Sequence, residues 1–184
     1  HLSIRRQRQM CIRDRSCTGK WFSQRTRYDF DQNNAENQKS ELNMEKINPG
    51  DAELQSLCQA YQINSAQTLG GIKTSWETVG DWGATKQKGS TLWLFLPEDE
   101  TGFTGKLFRS VAKPNSLMLS GRYFLAADES LTLILESDTV YTEERLWFAS
   151  ANLRLRTSLI QQRDRFSYSA FYSEIRKLPA PPEI

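Results

Sequence analysis

Turn-forming residues recur about every ten residues from Thr18 to Lys177, and the segments between them have the pattern of β-strands. Short links of this kind require antiparallel neighbours, because a parallel pair needs a longer crossover connection. Ten strands are predicted, at residues 19–30, 40–47, 71–78, 89–96, 105–112, 120–127, 130–137, 140–149, 152–161 and 166–177. The predicted fold is therefore all-β, a ten-stranded antiparallel up-and-down barrel, since closure removes exposed strand edges. A two-sheet sandwich is the alternative.

One short helix is predicted after the second strand, at residues 51–62, with Asp51 as its N-cap. Cys58 falls on the apolar side that the helical spacing produces, so we assign it to packing rather than to a reactive thiol. A barrel of eight to ten strands has room for one ligand and none for a water channel.

The two ends of the chain differ from the part between them. Residues 1–17 contain five arginines and one acid and have no apolar periodicity. Three interpretations fit this composition: a targeting peptide, a disordered basic arm, and foreign sequence that resembles a translated sequencing adapter. We favour the foreign sequence. Residues 18–178 form the predicted barrel domain, and the proline-rich residues 179–184 end it because they cannot join a sheet.

Charge and composition exclude several function classes. The net charge is +2, but residues 1–17 carry +4, which leaves −2 for residues 18–184 and argues against nucleic-acid binding. No apolar run approaches the roughly 20 residues of a membrane-spanning helix, and the first residues lack a signal-peptide segment. His1 is the single histidine and no Cys-x-x-Cys pair exists, so we expect no metal site and no histidine-dependent nucleophile.

The segment 143–158 is typical of a β-hairpin with an unusual load of charge. Arg154, Arg156 and Ser158 alternate along one strand, so they share one face. A three-residue loop at 150–152 would add Glu144 to that face, whereas a two-residue loop would separate it from the arginines.

Two orientations of this hairpin remain open from the residues alone. The polar face is favoured to point outward, with Leu153 and Leu155 in the core. The alternative points the polar face inward as the wall of an anion-binding pocket, because arginine suits forked recognition of carboxylates.

Five tryptophans occur in the chain. We assign Trp21 and Trp93 to packing. Trp76 and Trp82 flank a turn-like link, where rim aromatics could stack on a flat conjugated ligand. For Trp82 the binding and structural roles weigh equally, and for Trp76 the structural role leads.

Four segments together resemble the CpcS/CpeS-type (S-type) phycobiliprotein lyases. They are residues 19–26 (GKWFSQRT), 143–150 (EERLWFAS), 152–158 (NLRLRTS) and 171–176 (FYSEIR). The resemblance follows chain order from about residue 18 to 177. It implies a barrel like that of lipocalins or fatty-acid-binding proteins.

The resemblance also implies site residues. Glu144 and Arg154 correspond to catalytic residues, and Arg156, Ser158, Trp82, Trp76 and Trp147 to substrate-binding residues. The implied substrate is a linear tetrapyrrole, phycocyanobilin or phycoerythrobilin, whose two propionates would meet two arginines and whose pyrrole N–H groups would meet Glu144. No prosthetic group is implied.

As a function, the resemblance implies a lyase that attaches this bilin to a cysteine of a phycobiliprotein subunit through a thioether. A bilin chaperone or a non-catalytic partner of a heteromeric lyase is the alternative. We expect a homodimer, or a heterodimer with a paralogue, in a cyanobacterial cytoplasm or an algal plastid stroma. The bilin, the acceptor subunit and its cysteine are not specified by the sequence.

Overall fold

The chain folds into a closed antiparallel barrel. The computed structural model describes residues 17–80, 85–111, 119–162 and 165–178. Within these ranges ten strands each pair with their neighbours in sequence, and the first strand also pairs with the last. The predicted up-and-down barrel is confirmed, and the two-sheet sandwich is excluded.

The strands run over most of the described chain. Their bounds are β1 Gly19–Asp29, β2 Asn34–Ile47, β3 Gly71–Val79, β4 Lys88–Pro97, β5 Thr104–Val111, β6 Leu119–Leu125, β7 Leu131–Glu136, β8 Val140–Ser150, β9 Leu153–Gln162 and β10 Arg165–Arg176. The long pairing of β1 with β10, from Trp21 opposite Arg176 to Asp29 opposite Tyr168, closes the barrel.

The first hairpin is tighter than the sequence predicted. The second strand was predicted to begin at residue 40, but β2 already begins at Asn34. The Asp29 carboxylate accepts the backbone N–H groups of Asp31 and Gln32, both at 2.9 Å, and Asn33 takes the left-handed conformation with φ 51°. Asparagine tolerates that conformation, so the chain reverses within a few residues.

One α-helix, α1 (Ala52–Ala60), and a 3₁₀ turn, Ser65–Gln67, lie between β2 and β3. The helix packs on the outside of the barrel, where Leu54, Leu57 and Cys58 are buried against a row of outward side chains on β4 and β5. Those side chains are Leu92, Leu94 and Phe108. The predicted burial of Cys58 is confirmed.

Asp51 occupies the predicted N-cap position but does not cap the helix with its side chain. Asp51 precedes α1, but its side chain makes no capping hydrogen bond to the helix. Its carboxylate instead accepts the backbone N–H of Asn48 at 2.7 Å, which closes the preceding turn.

The interior of the barrel is apolar towards the end where β8 turns into β9. Leu107, Leu131 and Phe95 are buried there, together with Trp21 and Cys17, which are 0% and 1% exposed. Cys17 thus belongs to the core, although the sequence placed it outside the barrel domain. Residues 1–16 and 179–184, on which two domain predictions fall, lie outside the described residues. In the part of the chain that is described, no helix is long and apolar enough to span a bilayer.

Candidate functional site

The β8–β9 hairpin sets which side chains face the barrel interior. Phe148 pairs with Arg154, Leu146 with Arg156 and Glu144 with Ser158, as a three-residue loop would place them. The turn itself holds two residues, and the ladder has a β-bulge between Phe148 and Ser150. The extra residue in the bulge restores the register that a plain two-residue turn would have shifted.

The polar face of this hairpin points inward. The side chains of Arg154 and Ser158 are buried, and Glu144 and Arg156 are 16% and 20% exposed. The expectation that this face points to solvent is therefore wrong, and the inward orientation of the alternative is correct; anion binding by this wall stays a prediction. A barrel interior that holds charge must pair it, because an unpaired buried ion is costly.

The partner of both arginines is Glu174 on β10, whose side chain is 0% exposed. Arg154 donates to Glu174 Oε2 from Nε at 2.6 Å and approaches it with Nη2 at 2.5 Å. Arg156 donates from Nη2 to Glu174 Oε1 at 3.3 Å and from Nη1 to Glu144 Oε2 at 3.1 Å. The Ser23 hydroxyl completes the site by donating to Glu174 Oε1 at 3.4 Å. Two cations and two anions thus form one network, which we call the lumen charge network.

The pairing is reflected in the ionisation of its members. Burial alone would raise the pKa of Glu174, but the charges of Arg156 and Arg154 and their hydrogen bonds outweigh it and lower the pKa. Burial would lower the pKa of Arg156, but the charges of Glu144 and Glu174 raise it. Burial lowers the pKa of Arg154, and Glu174 only partly opposes that effect. Glu174 is held as a carboxylate and Arg156 as a cation.

Aromatic rings fix the guanidinium planes. The Arg156 Cζ lies 3.6 Å from the centroid of the Tyr172 ring, and the Arg154 Cζ lies 4.8 Å from that of Trp21. Each cation therefore stacks on a ring while its N–H groups point at carboxylates. Arg154 also donates from Nη1 to the Met44 sulfur at 3.1 Å.

The lumen charge network borders a cavity of about 330 Å³ inside the barrel. Its wall combines the network with polar side chains of β1 to β5 and with apolar and aromatic ones. The latter are Leu42, Met44, Ile72, Trp76, Trp93, Phe95, Leu131, Leu133, Leu146 and Tyr172. A mostly apolar cavity with a few convergent polar groups is the usual form of a small-molecule site.

The structure separates the tryptophans assigned to binding. Trp76 lines the cavity. Trp147 pairs with Leu155 and lies on the outer face, because it sits one residue from the inward Leu146 and Phe148. The assignment of Trp147 to the substrate site therefore does not agree with the register. Trp82 lies outside the described residues.

Most of the residues that line the cavity were given no binding role by the sequence, and Glu174, Trp93 and Arg109 are the most informative of them. Glu174 lies in a motif that was recognised, but its part follows only from the pairing of β9 with β10, which sets Glu174 opposite Arg154. Trp93 was assigned to packing, and it lines the cavity beside Arg109. Trp93 and Phe95 alternate with Leu92 and Leu94 along β4, so the two pairs lie on opposite faces of the strand. This alternation is the signal that could have separated the cavity face from the face that packs against α1.

Comparison with known proteins agrees with this architecture. The model of the CpeS-like protein family matches residues 14–177. The chain is 44% identical to "Chromophore lyase CpcS/CpeS 1" of Synechocystis sp. over 88% of this chain and 87% of the relative. It is 39% identical to "Chromophore lyase CpcS/CpeS" of Thermosynechococcus vestitus over 91% of this chain and 93% of the relative.

A solved structure has the same fold. The S-type phycobiliprotein lyase CPES from Guillardia theta superposes with a TM-score of 0.79 at 24% identity, over 97% of this chain and 98% of that one. The match of the family model and the two identities above extend over most of the barrel. The chain therefore belongs to the CpeS-like family, and it is a lyase like these relatives.

Proposed function

We propose that this chain binds a linear tetrapyrrole, phycocyanobilin or phycoerythrobilin, in the barrel and promotes its thioether attachment to a cysteine of a phycobiliprotein subunit. The observation that carries the proposal is the lumen charge network, which presents a carboxylate to a cavity otherwise lined by apolar and aromatic side chains. A carrier of simple fatty acids has no evident use for that carboxylate. A conjugated ligand with N–H donors does.

Glu144 is the group we assign to the pyrrole N–H groups. Its Oε2 accepts from Arg156, and its Oε1 has no hydrogen-bond partner among the described residues. A carboxylate accepts several hydrogen bonds, so Oε1 can take one or two from the ligand while Arg156 keeps the group ionised and in place.

The reaction needs no oxidant. The thiol of the acceptor cysteine adds across the ethylidene double bond of ring A: sulfur bonds to the exocyclic carbon, and the thiol proton is returned to the ring carbon. The protein supplies positioning and excludes water and competing nucleophiles. Cys58 takes no part in this scheme, because it is 2% exposed on the face of α1 that packs against the outside of the barrel, away from the cavity.

A second candidate is a bilin-binding partner that does not itself transfer the ligand. One relative, 28% identical over 89% of this chain, is named "Phycocyanobilin lyase subunit CpcS" from Picosynechococcus sp., a name that indicates a protein working within a larger lyase. Dimerisation with itself or with a paralogue, and location in a cytoplasm or a plastid stroma, stay predictions.

The test is transfer of bilin to an apo-subunit by Glu144→Gln, with Glu143→Gln as the matched control. Glu143 is the next residue on the same strand, but it faces outward and accepts from the Tyr141 hydroxyl. Loss of one hydrogen bond to a charged acceptor lowers a rate or an affinity by about ten- to a hundredfold. We expect Glu144→Gln to lower the rate of covalent adduct formation by that factor and Glu143→Gln to leave it unchanged.

The covalent adduct is measured by denaturing electrophoresis with zinc-enhanced bilin fluorescence. Full transfer by Glu144→Gln would reject the assigned role. Wild-type protein that binds bilin, with a change in its absorbance spectrum, but transfers none on its own would support the partner-subunit alternative. Loss of transfer in Cys58→Ser would reject the scheme in which no cysteine of this chain takes part.

A further inference from the structure

The charged side chains that line the cavity do not cancel one another. In the described ranges they are four arginines and two glutamates: Arg25, Arg109, Arg154, Arg156, Glu144 and Glu174. Both glutamates are used by Arg154 and Arg156 within the lumen charge network. The cavity wall therefore keeps a surplus of two positive charges, which Arg25 and Arg109 carry.

Of these two arginines, Arg109 is the one without a carboxylate. Arg25 lies 3.8 Å from the Glu36 carboxylate, which also pairs with Arg27 at 3.0 Å. For Arg109 the described part of the chain offers no acid within 4.0 Å, and this sets it apart from the other cavity arginines. Its buried Nε has no hydrogen-bond partner there, as is also true of the Nε atoms of Arg25 and Arg156, but those two side chains each pair with a carboxylate. A buried cationic donor without an acceptor is costly, so the site is set up for an anion that is not part of the fold.

The surroundings of Arg109 hold its guanidinium ready for such an anion. Its Cζ lies 5.1 Å from the centroid of the Trp93 ring. The two residues are directly opposite each other, Trp93 on β4 and Arg109 on β5. Stacking on the ring fixes the plane of the guanidinium and leaves the N–H groups at its edge available for a forked contact.

We infer that Arg109 binds a carboxylate of the ligand, and that Arg154 and Arg156 do not supply this contact. The inference rests on the proposed function, since a bilin carries two propionates and would bring two negative charges to the surplus. Arg154 is 3% exposed and donates its N–H groups to Glu174 and Met44. Arg156 already serves two carboxylates. The lumen charge network thus orients Glu144, and one carboxylate of the ligand is bound by Arg109 on β5.

The experiment compares phycocyanobilin with its dimethyl ester, which removes the acids and keeps the conjugated rings. Affinities of both forms are measured from the absorbance change for the wild type, Arg109→Gln and Arg109→Lys. The control is Arg122→Gln, which removes an arginine from the neighbouring strand, where it points outward and pairs with Glu136 at 3.4 Å. Thermal unfolding verifies that each variant folds.

We expect the wild type to bind the acid at least about tenfold more tightly than the ester, from the loss of a charge-assisted contact. Arg109→Gln should bring that ratio close to one, Arg109→Lys should keep part of it, and Arg122→Gln should keep all of it. A wild-type ratio of one, or an unchanged ratio in Arg109→Gln, overturns the inference while leaving the proposed function intact. An equal loss of affinity for acid and ester overturns it too, because that result indicates packing. Wild-type protein that binds neither form rejects the proposed function, and the inference with it.

Discussion

Replacement of Glu174 by glutamine tests the lumen charge network as a whole. Glu174 is fully buried and makes three contacts with guanidinium nitrogens, at 2.5, 2.6 and 3.3 Å. Without its charge, the buried Arg154 keeps no carboxylate, and Arg156 keeps only Glu144. Removing one partner of a buried ion pair costs about 3–5 kcal/mol. For a domain of this size each kcal/mol lowers Tm by about 2–4 °C, so we expect a loss on the order of 10 °C.

Differential scanning calorimetry measures this loss, with Glu136→Gln as the control. Glu136 pairs with Arg122 at the surface, where both side chains are more than half exposed, and such pairs contribute about 1 kcal/mol or less. A Glu174→Gln Tm within about 2 °C of the wild type would refute the reasoning. The double variant Arg154→Met with Glu174→Leu should recover stability relative to Glu174→Leu alone, because no charge is then left unpaired.

Glu174→Gln should also change how the stability of the protein depends on pH. The pKa of Glu174 is lowered from its ordinary 4.5 in the folded protein, so its contribution to stability is present above that value and is lost as the pH falls through the folded pKa. Thermal unfolding of Glu174→Gln should therefore depend less on pH below about 4.5 than that of the wild type. An equal pH dependence would contradict the assignment.

Two further predictions concern the cavity wall and the outer face. Gly89→Ala would set a Cβ 2.8 Å from the Trp76 ring, so the ring must move and bilin affinity should fall several-fold. The control is Gly50→Ala, whose added Cβ meets nothing within 4 Å and should change neither bilin affinity nor Tm. The hydrogen bond to Glu143 and burial raise the pKa of Tyr141 to about 12, so the stability from this shift persists below the ordinary pKa of 10 and is lost as the pH rises through about 12. In an ultraviolet titration, Tyr141→Phe should remove the phenol that ionises near pH 12, and the loss of one that ionises near pH 10 would contradict this assignment.

The course of the strands could be predicted because turn residues and alternation are local properties. The boundaries of β3 to β10 differ from the predicted ones by one or two residues. The early start of β2 was missed, because it depends on hydrogen bonds that the Asp29 carboxylate accepts from the backbone, and these cannot be read from the sequence of a polar segment.

The orientation of the β8–β9 hairpin could not be derived from residue patterns alone. Either face of β9 is consistent with a barrel, since one presents leucines and the other presents arginines. The choice depends on Glu174, which lies on another strand and is brought opposite Arg154 by the β9–β10 register. That register itself shifts at a bulge between Phe166 and Tyr168, so the pairing is a long-range property.

The tryptophans show the same limit. Trp147 and Trp76 are both in strands, and alternation alone does not say which face of a strand is the inner one. The pairing of the strands places Trp76 at the cavity and Trp147 on the outer face. The resemblance to a family indicated the correct face for Glu144 and the arginines. It did not indicate that the arginines are already matched by acids of the protein.

The bulge at Ala149 decides which changes in length this hairpin tolerates. Deleting Ala149 would remove the bulge and leave a regular two-residue hairpin, in which Ser150 still lies opposite Leu153 and Phe148 still lies opposite Arg154, so both arginines would keep facing the interior. A one-residue deletion within β9 is different, because successive side chains of a strand point to opposite faces. Loss of Leu155 would turn Arg156 and Ser158 outward and bring Thr157 and Leu159 inward, so the cavity wall would lose charge. A natural change in length of this hairpin is therefore expected at position 149 rather than within β9.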